Sequence, residues 1–480
     1  MTAPGILWLT RDFRLRDNPA LLAASADGPL LVVFFIDRLI MAQGAASRWR
    51  LGRALASFDA TLRTRTGGKG ITVLRGEPDD HLPGLMERLG TRRVHQSDWP
   101  TPDMRVLQDR MRAALHPLGA RLILHPGHLL VHPGAVRTGN GGVYRVYSPF
   151  ARAAHKLGPD RPAPDAPPRI TPCTDPLGGI DLNGLDLAPD LHRGRAALDR
   201  FAAPSGEDAA LARLDAFLDQ ASDYPGGRDR PDRDVTSGLS EYLAVGEISP
   251  RTIWARAALR AEISPEHAAG IAKFLSEVIW REFSWHLLID FPLMPVACWR
   301  PEWESFPWRK DGPGLIRWQR AQTGVALVDA GLRQMWLTGQ MHNRVRMVVA
   351  SWLTKHLLID WRAGLAHFAD CLTDWDPAAN AMNWQWVAGC GPDAAPYFRI
   401  FNPEKQAEQY DCRGEYRRRW LAGFDGSTGA EASAWAKSIP RAWGAGPWRA
   451  GPAAMLAEGR DAALAALAEF RATTPETRHE

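Results

Sequence analysis

The chain has 480 residues, 45% of them hydrophobic and 23% charged, and its formal net charge is +4 at pH 7. These values exclude an intrinsically disordered chain and favour two or more globular domains, while the mild positive charge permits a nucleic-acid partner without requiring one. No apolar run is long enough to cross a bilayer, so we expect no membrane partner. The five cysteines form no CxxC pair, so we expect a protein of the reducing cytosol without a cysteine-only metal site.

Residues 1–131 alternate short apolar runs with amphipathic stretches. The amphipathic stretches, such as 45–64 and 104–115, predict helices between the strands. This βαβα order predicts a doubly wound parallel sheet, so the N-terminal domain is expected to be α/β. The predicted strands are 6–9, 30–36, 71–74, 93–96 and 121–124.

The segment TRDFRLRDNPAL follows the first predicted strand, where many dinucleotide-binding folds have GxGxxG. Asp17 or Asn18 is expected to cap a helix that begins at Pro19. The charged residues of this loop are equally compatible with direct ligand binding, and the sequence leaves both interpretations open.

Residues 158–190 are rich in Pro, Gly and Asp and predict a long surface connector. The pattern after residue 200 is helical almost to the end, so a larger all-α C-terminal domain is expected. The predicted organisation is 1–131 for the α/β domain, 132–200 for the linker, 201–472 for the helical domain and 473–480 for a short polar tail. The predicted helices include 206–220, 271–288, 327–337, 344–358 and 453–471.

The segment from Gly339 to Pro403 combines an Asn-Arg pair, two nearby aspartates and several tryptophans. Tryptophan has no useful acid-base chemistry, but its ring stacks on flat ligands and its indole can lose an electron. This composition suggests a buried, redox-active aromatic cofactor beside an anionic ligand. Taken singly, each tryptophan is more often a core residue, and we favour a core role for His342.

Two further patterns have both a structural and a functional interpretation. The polar stretch from Tyr224 to Ser240 is either an ordinary helix N-cap or a phosphate-binding loop. Glu277 and Arg281 are spaced for a simple ion pair on one helix. Together with Trp280, however, Glu277 also suits the reading of a nucleobase, by one hydrogen bond and one stack.

Taken together, these segments resemble the photolyase/cryptochrome family of flavoproteins nearly end to end. The blocks that carry the resemblance are LWLTRDFRLRDNPAL, TSGLSEYLAVGEISPR, FLSEVIWREF, TGQMHNRVRM, LLIDWR and DAAPYFRIFNP, in family order and at family spacing. The resemblance implies an N-terminal α/β domain, a long linker and a helical domain that holds FAD. By the same resemblance, the FAD contacts would be Tyr224, Thr236, Ser237, Gly238, Leu239, Ser240, Phe274, Arg281, Asn343, Arg346, Asp374 and Asp376.

The family likeness also assigns residues to electron transfer. Asn380 matches the residue beside flavin N5; an amide is typical there of photolyases, whereas plant-type cryptochromes carry Asp and animal-type ones Cys. Trp384, Trp361 and Trp308 match the three-tryptophan chain, with Trp308 expected at the solvent-facing end.

The implied substrate is a cyclobutane pyrimidine dimer in single- or double-stranded DNA, flipped out of the helix. Enzymes for (6-4) photoproducts carry His-His where this chain has His342-Asn343, which favours the cyclobutane dimer. The implied activity is light-driven repair by electron transfer from reduced FAD, with Glu277 also catalytic and no metal required. The implied lesion-pocket residues are Glu277, Trp280, Asn343, Arg344, Met347, Trp386, Arg399 and Gln406.

The likeness further implies a monomer of the bacterial cytosol and nucleoid. A cryptochrome-like blue-light photoreceptor without repair activity is the alternative.

The chain departs from the family pattern at several positions. Gln340 replaces a Trp that is common there in the family, and NAMNWQW is similar to a bacterial subgroup sometimes called class III. The segment 98–104 lacks the Asn-Glu that holds a folate antenna in class I relatives, although Asp103 is a candidate substitute. The resemblance still favours a folate (methenyltetrahydrofolate) antenna over a deazaflavin, and an empty antenna site stays open as an alternative.

Overall fold

The computed structural model describes residues 3–175, 177–393, 398–444 and 446–473. Within these ranges the chain divides into two compact units. Unit 1 is Met1–Asp190, Ala203–Pro225 and Ser237–Pro292, and unit 2 is Leu191–Ala202, Gly226–Thr236 and Leu293–Glu480. Residues 394–397 of the DAAPYFRIFNP block and residues 474–480 of the expected tail lie outside the described residues. The domain boundaries given above stay a prediction.

Unit 1 contains a five-stranded parallel sheet in its described part, with the strand order β3-β2-β1-β4-β5. All five predicted strands are confirmed to within one residue at each end. The strands are β1 (Gly5–Leu9), β2 (Leu30–Ile36), β3 (Thr72–Arg75), β4 (Arg93–Ser97) and β5 (Arg121–His125).

Neighbouring side chains of a strand enter different cores, which is the period-2 geometry of a sheet buried on both faces. Leu7 and Leu9 pack in one core with Leu51, whereas Ile6 and Trp8 pack in another with Leu82. Helices therefore cover both faces, and the doubly wound α/β fold is confirmed. The helices of this part are α1 (Pro19–Asp27), α2 (Arg38–Met41), α3 (Ala45–Thr66), α4 (Pro78–Leu89), α5 (Pro102–Leu115) and α6 (Tyr147–Leu157).

Of the two candidate caps in the loop after β1, Asn18 is the one that caps α1, and a ligand-binding role of the loop stays a prediction. Its side chain accepts a hydrogen bond from the Leu21 N–H at 3.0 Å, and Pro19 is the first helical residue. Asp17 instead forms a buried ion pair with Arg251 at 2.7 Å. The loop is thus held by an ion pair with a residue much further along the chain.

The connector 158–190 has no helix or regular strand in its described residues, as predicted, but it is not only a surface segment. Ile170 and Cys173 are buried. The Leu30 N–H donates to Thr171 O at 2.7 Å, and the Ile180 N–H donates to Val73 O at 2.8 Å. These bonds hold the connector against β2 and β3.

The rest of the chain is mostly helical, as predicted. Residues 344–358 were expected to form one α-helix, but the α-helix ends at Ser351 and Trp352–His356 are π-helical. Apolar periodicity does not distinguish these two hydrogen-bond patterns. The helices are α7 (Arg195–Asp199), α8 (Glu207–Leu218), α9 (Tyr224–Gly227), α10 (Ser240–Val245), α11 (Pro250–Ile263), α12 (Ala268–Asp290), α13 (Gly312–Gln319), α14 (Ala326–Thr338), α15 (Asn343–Ser351), α16 (Trp361–Cys371), α17 (Pro377–Ala388), α18 (Pro403–Tyr410), α19 (Glu415–Trp420), α20 (Ala430–Ser438) and α21 (Met455–Thr473).

Candidate functional site

In unit 1, helix α12 carries four of the predicted site residues. Phe274 is buried and packs against Phe217, with ring centroids 4.7 Å apart, and against Tyr224 at 6.2 Å. Glu277 lies 3.0 Å from Lys273 Nζ on the same helix. The aromatic residues form one wall, and the carboxylate lies one turn further along α12.

Arg281 is held by the segment that follows β5. Its guanidinium donates to His128 O at 3.0 Å and lies 2.9 Å from His128 Nε2. Burial, reinforced by the positive charge of Arg281, lowers the pKa of His128 well below its usual value. The imidazole is therefore neutral and accepts the hydrogen bond.

The loop before α10 needs a glycine at position 238. Gly238 has φ +62°, and an added Cβ would lie 2.9 Å from Arg213 Nε. Arg213 Nε donates to Ser237 O at 2.7 Å. Leu239 is buried and Ser240 is the first residue of α10. The backbone of 237–240 is thus fixed by Arg213.

In unit 2, a partly buried ion pair connects α15 to the segment before α17. Arg346 Nη2 lies 3.0 and 2.8 Å from the two oxygens of Asp374, which is 7% exposed. Arg346 Nε also donates to Met341 O at 2.8 Å. Asn343 is the exposed first residue of α15, and Thr236 of the same unit is partly buried.

His342 caps α15 by accepting the Arg344 N–H at 3.2 Å on Nδ1. Burial lowers the pKa of His342 to about 4, so it is neutral at pH 7. His342 is thus a partly buried helix cap, whereas a core role was favoured from the sequence.

Asp376 and Asn380 form the start of α17. Asp376 Oδ1 accepts the Ala379 N–H at 2.8 Å as the N-cap. Asn380 is buried, and its Nδ2 donates to Asp376 O at 2.9 Å. The amide orientation of Asn380 is therefore set by the helix itself.

The three predicted electron-transfer tryptophans lie in unit 2 and differ in exposure. Trp361 is 0% and Trp384 3% exposed, and Trp308 is partly buried. Trp384 packs edge-on against Phe368 at 4.9 Å and lies over Gly364, one turn after Trp361 on α16. Trp308 is thus the most exposed of the three.

The remaining predicted lesion-pocket residues are distributed over both units. In unit 2, Arg344 pairs with Asp229 at 3.0 Å and lies over the Tyr410 ring. The Trp386 indole N–H donates to Asp393 O at 3.1 Å. Met347 and Gln406 are partly buried, and Arg399 is exposed. In unit 1, Trp280 stacks on Tyr147.

A second feature of unit 1 is a cavity at the carboxyl ends of β1 and β2, where open α/β sheets bind ligands. Thr10, Arg11, Asp37, Trp99 and Met104 are among its lining residues. The Arg11 guanidinium lies 4.8 Å from the Trp99 ring centroid. Burial raises the pKa of Asp37 to about 6.

The described ranges contain neither a candidate metal site nor a candidate membrane span. No group of three His, Cys, Asp or Glu side chains there is placed to hold a metal ion. Likewise, none of the helices described is long and apolar enough to cross a membrane.

Comparison with known proteins relates two long segments of the chain to one family. Residues 5–168 match the family model described as DNA photolyase, and residues 274–446 match the one described as FAD binding domain of DNA photolyase. Over 430 residues the chain is 40% identical to a deoxyribodipyrimidine photo-lyase of Agrobacterium fabrum, which covers 88% of this chain and 87% of that protein. The chain belongs to the DNA photolyase family.

Other photolyase relatives show the same likeness. A deoxyribodipyrimidine photo-lyase of Thermus thermophilus is 37% identical, covering 88% of this chain and 93% of its own. A bacterial class III photolyase structure from Agrobacterium tumefaciens has a TM-score of 0.85 at 36% identity, covering 98% of both chains. A Synechocystis cryptochrome structure has a TM-score of 0.83 at 26% identity, covering 96% of this chain and 98% of its own.

Sequence reasoning assigned no role to Gln385, which lies between two of the predicted site residues. Gln385 is fully buried between Trp384 and Trp386. Its Nε2 donates to Met294 O at 2.6 Å and Ala297 O at 2.9 Å, and its Oε1 accepts the Trp299 N–H at 2.7 Å. The only signal was a polar residue inside an aromatic helix, and its partners lie 86–91 residues away.

The partly buried pair of unit 2 predicts a clear stability effect. Asp374→Asn should lower the free energy of unfolding by about 2 kcal/mol, because the partly buried Arg346 would lose its hydrogen-bonded ionic partner. The matched control Asp425→Asn breaks the exposed pair with Arg418 and should cost less than about 1 kcal/mol. Urea denaturation measures both, and equal losses would contradict a structural role for the Arg346–Asp374 pair.

Proposed function

We propose that the chain is a deoxyribodipyrimidine photo-lyase that repairs cyclobutane pyrimidine dimers in DNA under blue light. The observation that carries the proposal is its identity of 36–40% to proteins of that name across 88% of its length. Enzymes for (6-4) photoproducts carry His-His where this chain has His342-Asn343. This difference supports the cyclobutane dimer as the lesion. We further propose that the protein works as a monomer in the bacterial cytosol and nucleoid.

The chemistry of the donor set fits FAD. Position 238 is a glycine, so no side chain blocks the approach of a ligand to the backbone there. Tyr224 and Phe274 supply aromatic surface, and the Arg346–Asp374 pair supplies fixed charge. When bound, reduced FAD would absorb blue or near-ultraviolet light and supply the electron that splits the dimer. The electron would then return to the flavin. The proposed contacts are Tyr224, Thr236, Ser237, Gly238, Leu239, Ser240, Phe274, Arg281, Asn343, Arg346, Asp374 and Asp376.

Asn380 is proposed to face the flavin N5 atom. An amide has no proton to lose at physiological pH, so this position stays neutral, unlike the Asp of plant-type cryptochromes. The bond from its Nδ2 to Asp376 O restricts the side chain to one orientation. A neutral and fixed amide therefore supports repair rather than signalling.

The proposed lesion pocket combines stacking surface with charge. Trp280 and Trp386 present rings for the flipped bases, and Glu277 accepts a hydrogen bond from a base. Arg344 and Arg399 would neutralise phosphates and make binding weaken with salt. The other proposed contacts are Asn343, Met347 and Gln406.

For the antenna we propose a folate. Asp103 is exposed in the first turn of α5, where it is accessible to a ligand, whereas Asp98 is held by Arg105 at 2.8 Å. In the cavity at the carboxyl ends of β1 and β2, Arg11 already covers the Trp99 ring. That contact occupies one face of the Trp99 ring.

The deciding experiment is repair of an oligonucleotide with one thymine dimer by chemically reduced protein. Recovery of the ultraviolet absorbance of intact thymine in blue light, and none in the dark, is expected. Bound and reduced flavin without recovery would instead favour a cryptochrome-like photoreceptor, the second candidate. The 26% identity to the Synechocystis cryptochrome structure favours that function less than the photo-lyase relatives favour repair.

Glu277→Ala should lower the repair yield about tenfold, since a hydrogen bond to a charged group contributes roughly 1.5–3 kcal/mol. Bound FAD, measured by visible absorbance, should remain at the wild-type level. Glu266→Ala removes an exposed carboxylate of the same unit and serves as the control. Loss of FAD from the Glu277 variant would show that this residue is mainly structural.

Trp308→Phe should abolish photoreduction of the flavin in vitro while sparing repair by chemically reduced protein. Phenylalanine is much harder to oxidise than tryptophan, so a stepwise route through position 308 would be closed. Trp336→Phe and Trp352→Phe are the matched controls. If photoreduction survives in the Trp308 variant but fails in a control variant, the solvent-facing end of the electron-transfer route would lie at the control tryptophan instead.

A further inference from the structure

Trp280, a proposed lesion contact, is already stacked in this structure. The ring of Tyr147, the first residue of α6, lies parallel to the indole, with centroids 3.5 Å apart and an interplanar angle of 4°. Both residues belong to unit 1 and are partly buried. One face of Trp280 is therefore covered by a residue outside every motif singled out in the sequence.

Tyr147 is anchored at both ends of its side chain. Its hydroxyl donates to Ser276 O at 2.9 Å, one turn before Trp280 on α12. Its ring also meets Phe283 edge-on at 6.0 Å. Burial, together with the charge of Glu277, raises the pKa of Tyr147 to about 12. The hydroxyl thus keeps its proton and its hydrogen bond at physiological pH.

We propose that Tyr147 is a positioning residue for lesion binding, which acts by covering one face of Trp280 and fixing the indole against α12. The proposal rests on the proposed function. An indole has two faces, so at most one remains for a base of the dimer. Because the stack holds the side chain in one rotamer, less conformational entropy is lost when a base binds.

The competing interpretation is that Tyr147 only packs α6 onto α12. Phe150 also packs on Phe283, at 5.1 Å, so the α6–α12 interface has aromatic contacts that do not involve Trp280. Tyr144 packs edge-on against Phe150 at 6.4 Å and supplies a matched control. Packing alone predicts that Tyr147 and Tyr144 variants lose stability without losing selectivity for damaged DNA.

The test compares binding of a single-stranded thymine-dimer oligonucleotide with binding of the same undamaged sequence. Tyr147→Leu should bind the lesion about tenfold more weakly, near the lower end of what one base–aromatic stack contributes. Its affinity for undamaged DNA and its FAD content should not change. Tyr147→Phe keeps the ring and should restore most of the lost affinity, and Tyr144→Leu should bind the lesion as the wild type does. If the leucine variant does not fold, Tyr147→Asn at this partly exposed position replaces it.

A double-variant cycle shows whether the effect passes through Trp280. Adding Tyr147→Leu to Trp280→Ala should cause no further loss of lesion affinity. Unchanged lesion binding by the single variant, or an additive loss in the double variant, would overturn the proposal. Tighter binding would also overturn it, since Tyr147 would then occupy the place of a base. If wild-type protein itself fails to repair or select dimers, the proposed function fails instead.

Discussion

One buried carboxylate holds the helix on which most of the unit 1 site depends. Glu282 is fully buried on α12 and accepts the Leu130 N–H at 2.9 Å and the Val131 N–H at 3.1 Å. Burial raises the pKa of Glu282 to about 7 in spite of these two bonds. Since each orphaned N–H would cost roughly 1–3 kcal/mol, the segment after β5 and α12 are held in one register. That register determines which face of α12 presents Glu277 and Trp280.

Unit 2 uses the same principle with different groups. The Arg346–Asp374 pair joins α15 to the segment before α17, and Gln385 joins α17 to the loop 294–299 through three backbone groups. Removing one partner of such a set leaves an uncompensated polar group in the interior. These contacts therefore specify one arrangement of the helices, even where their net contribution to stability is small.

The aromatic residues serve packing and proposed chemistry at once. Trp361 and Trp384 are core residues by burial, and they are also the residues proposed to carry electrons. Trp280 differs because it is only partly buried and has Tyr147 on one face. Burial thus does not separate a structural tryptophan from a functional one; the distinction lies in what each ring face and indole nitrogen meets.

The sequence by itself determined the elements and the family. Short apolar runs predicted the five strands of the described sheet, most clearly β1 and β2, which are buried along their whole length. The polar pair Asp17-Asn18 before Pro19 predicted the start of α1, although not which of the two residues caps it. Ordered motifs identified the photolyase family before any distance was known. The tertiary structure alone decided the partners: His128 for Arg281, Asp374 for Arg346, the loop 294–299 for Gln385, and Tyr147 for Trp280. These pairs are separated by 28 to 153 residues. Local periodicity carries no information about such contacts, because they form only when the packed chain brings buried polar groups and ring faces together.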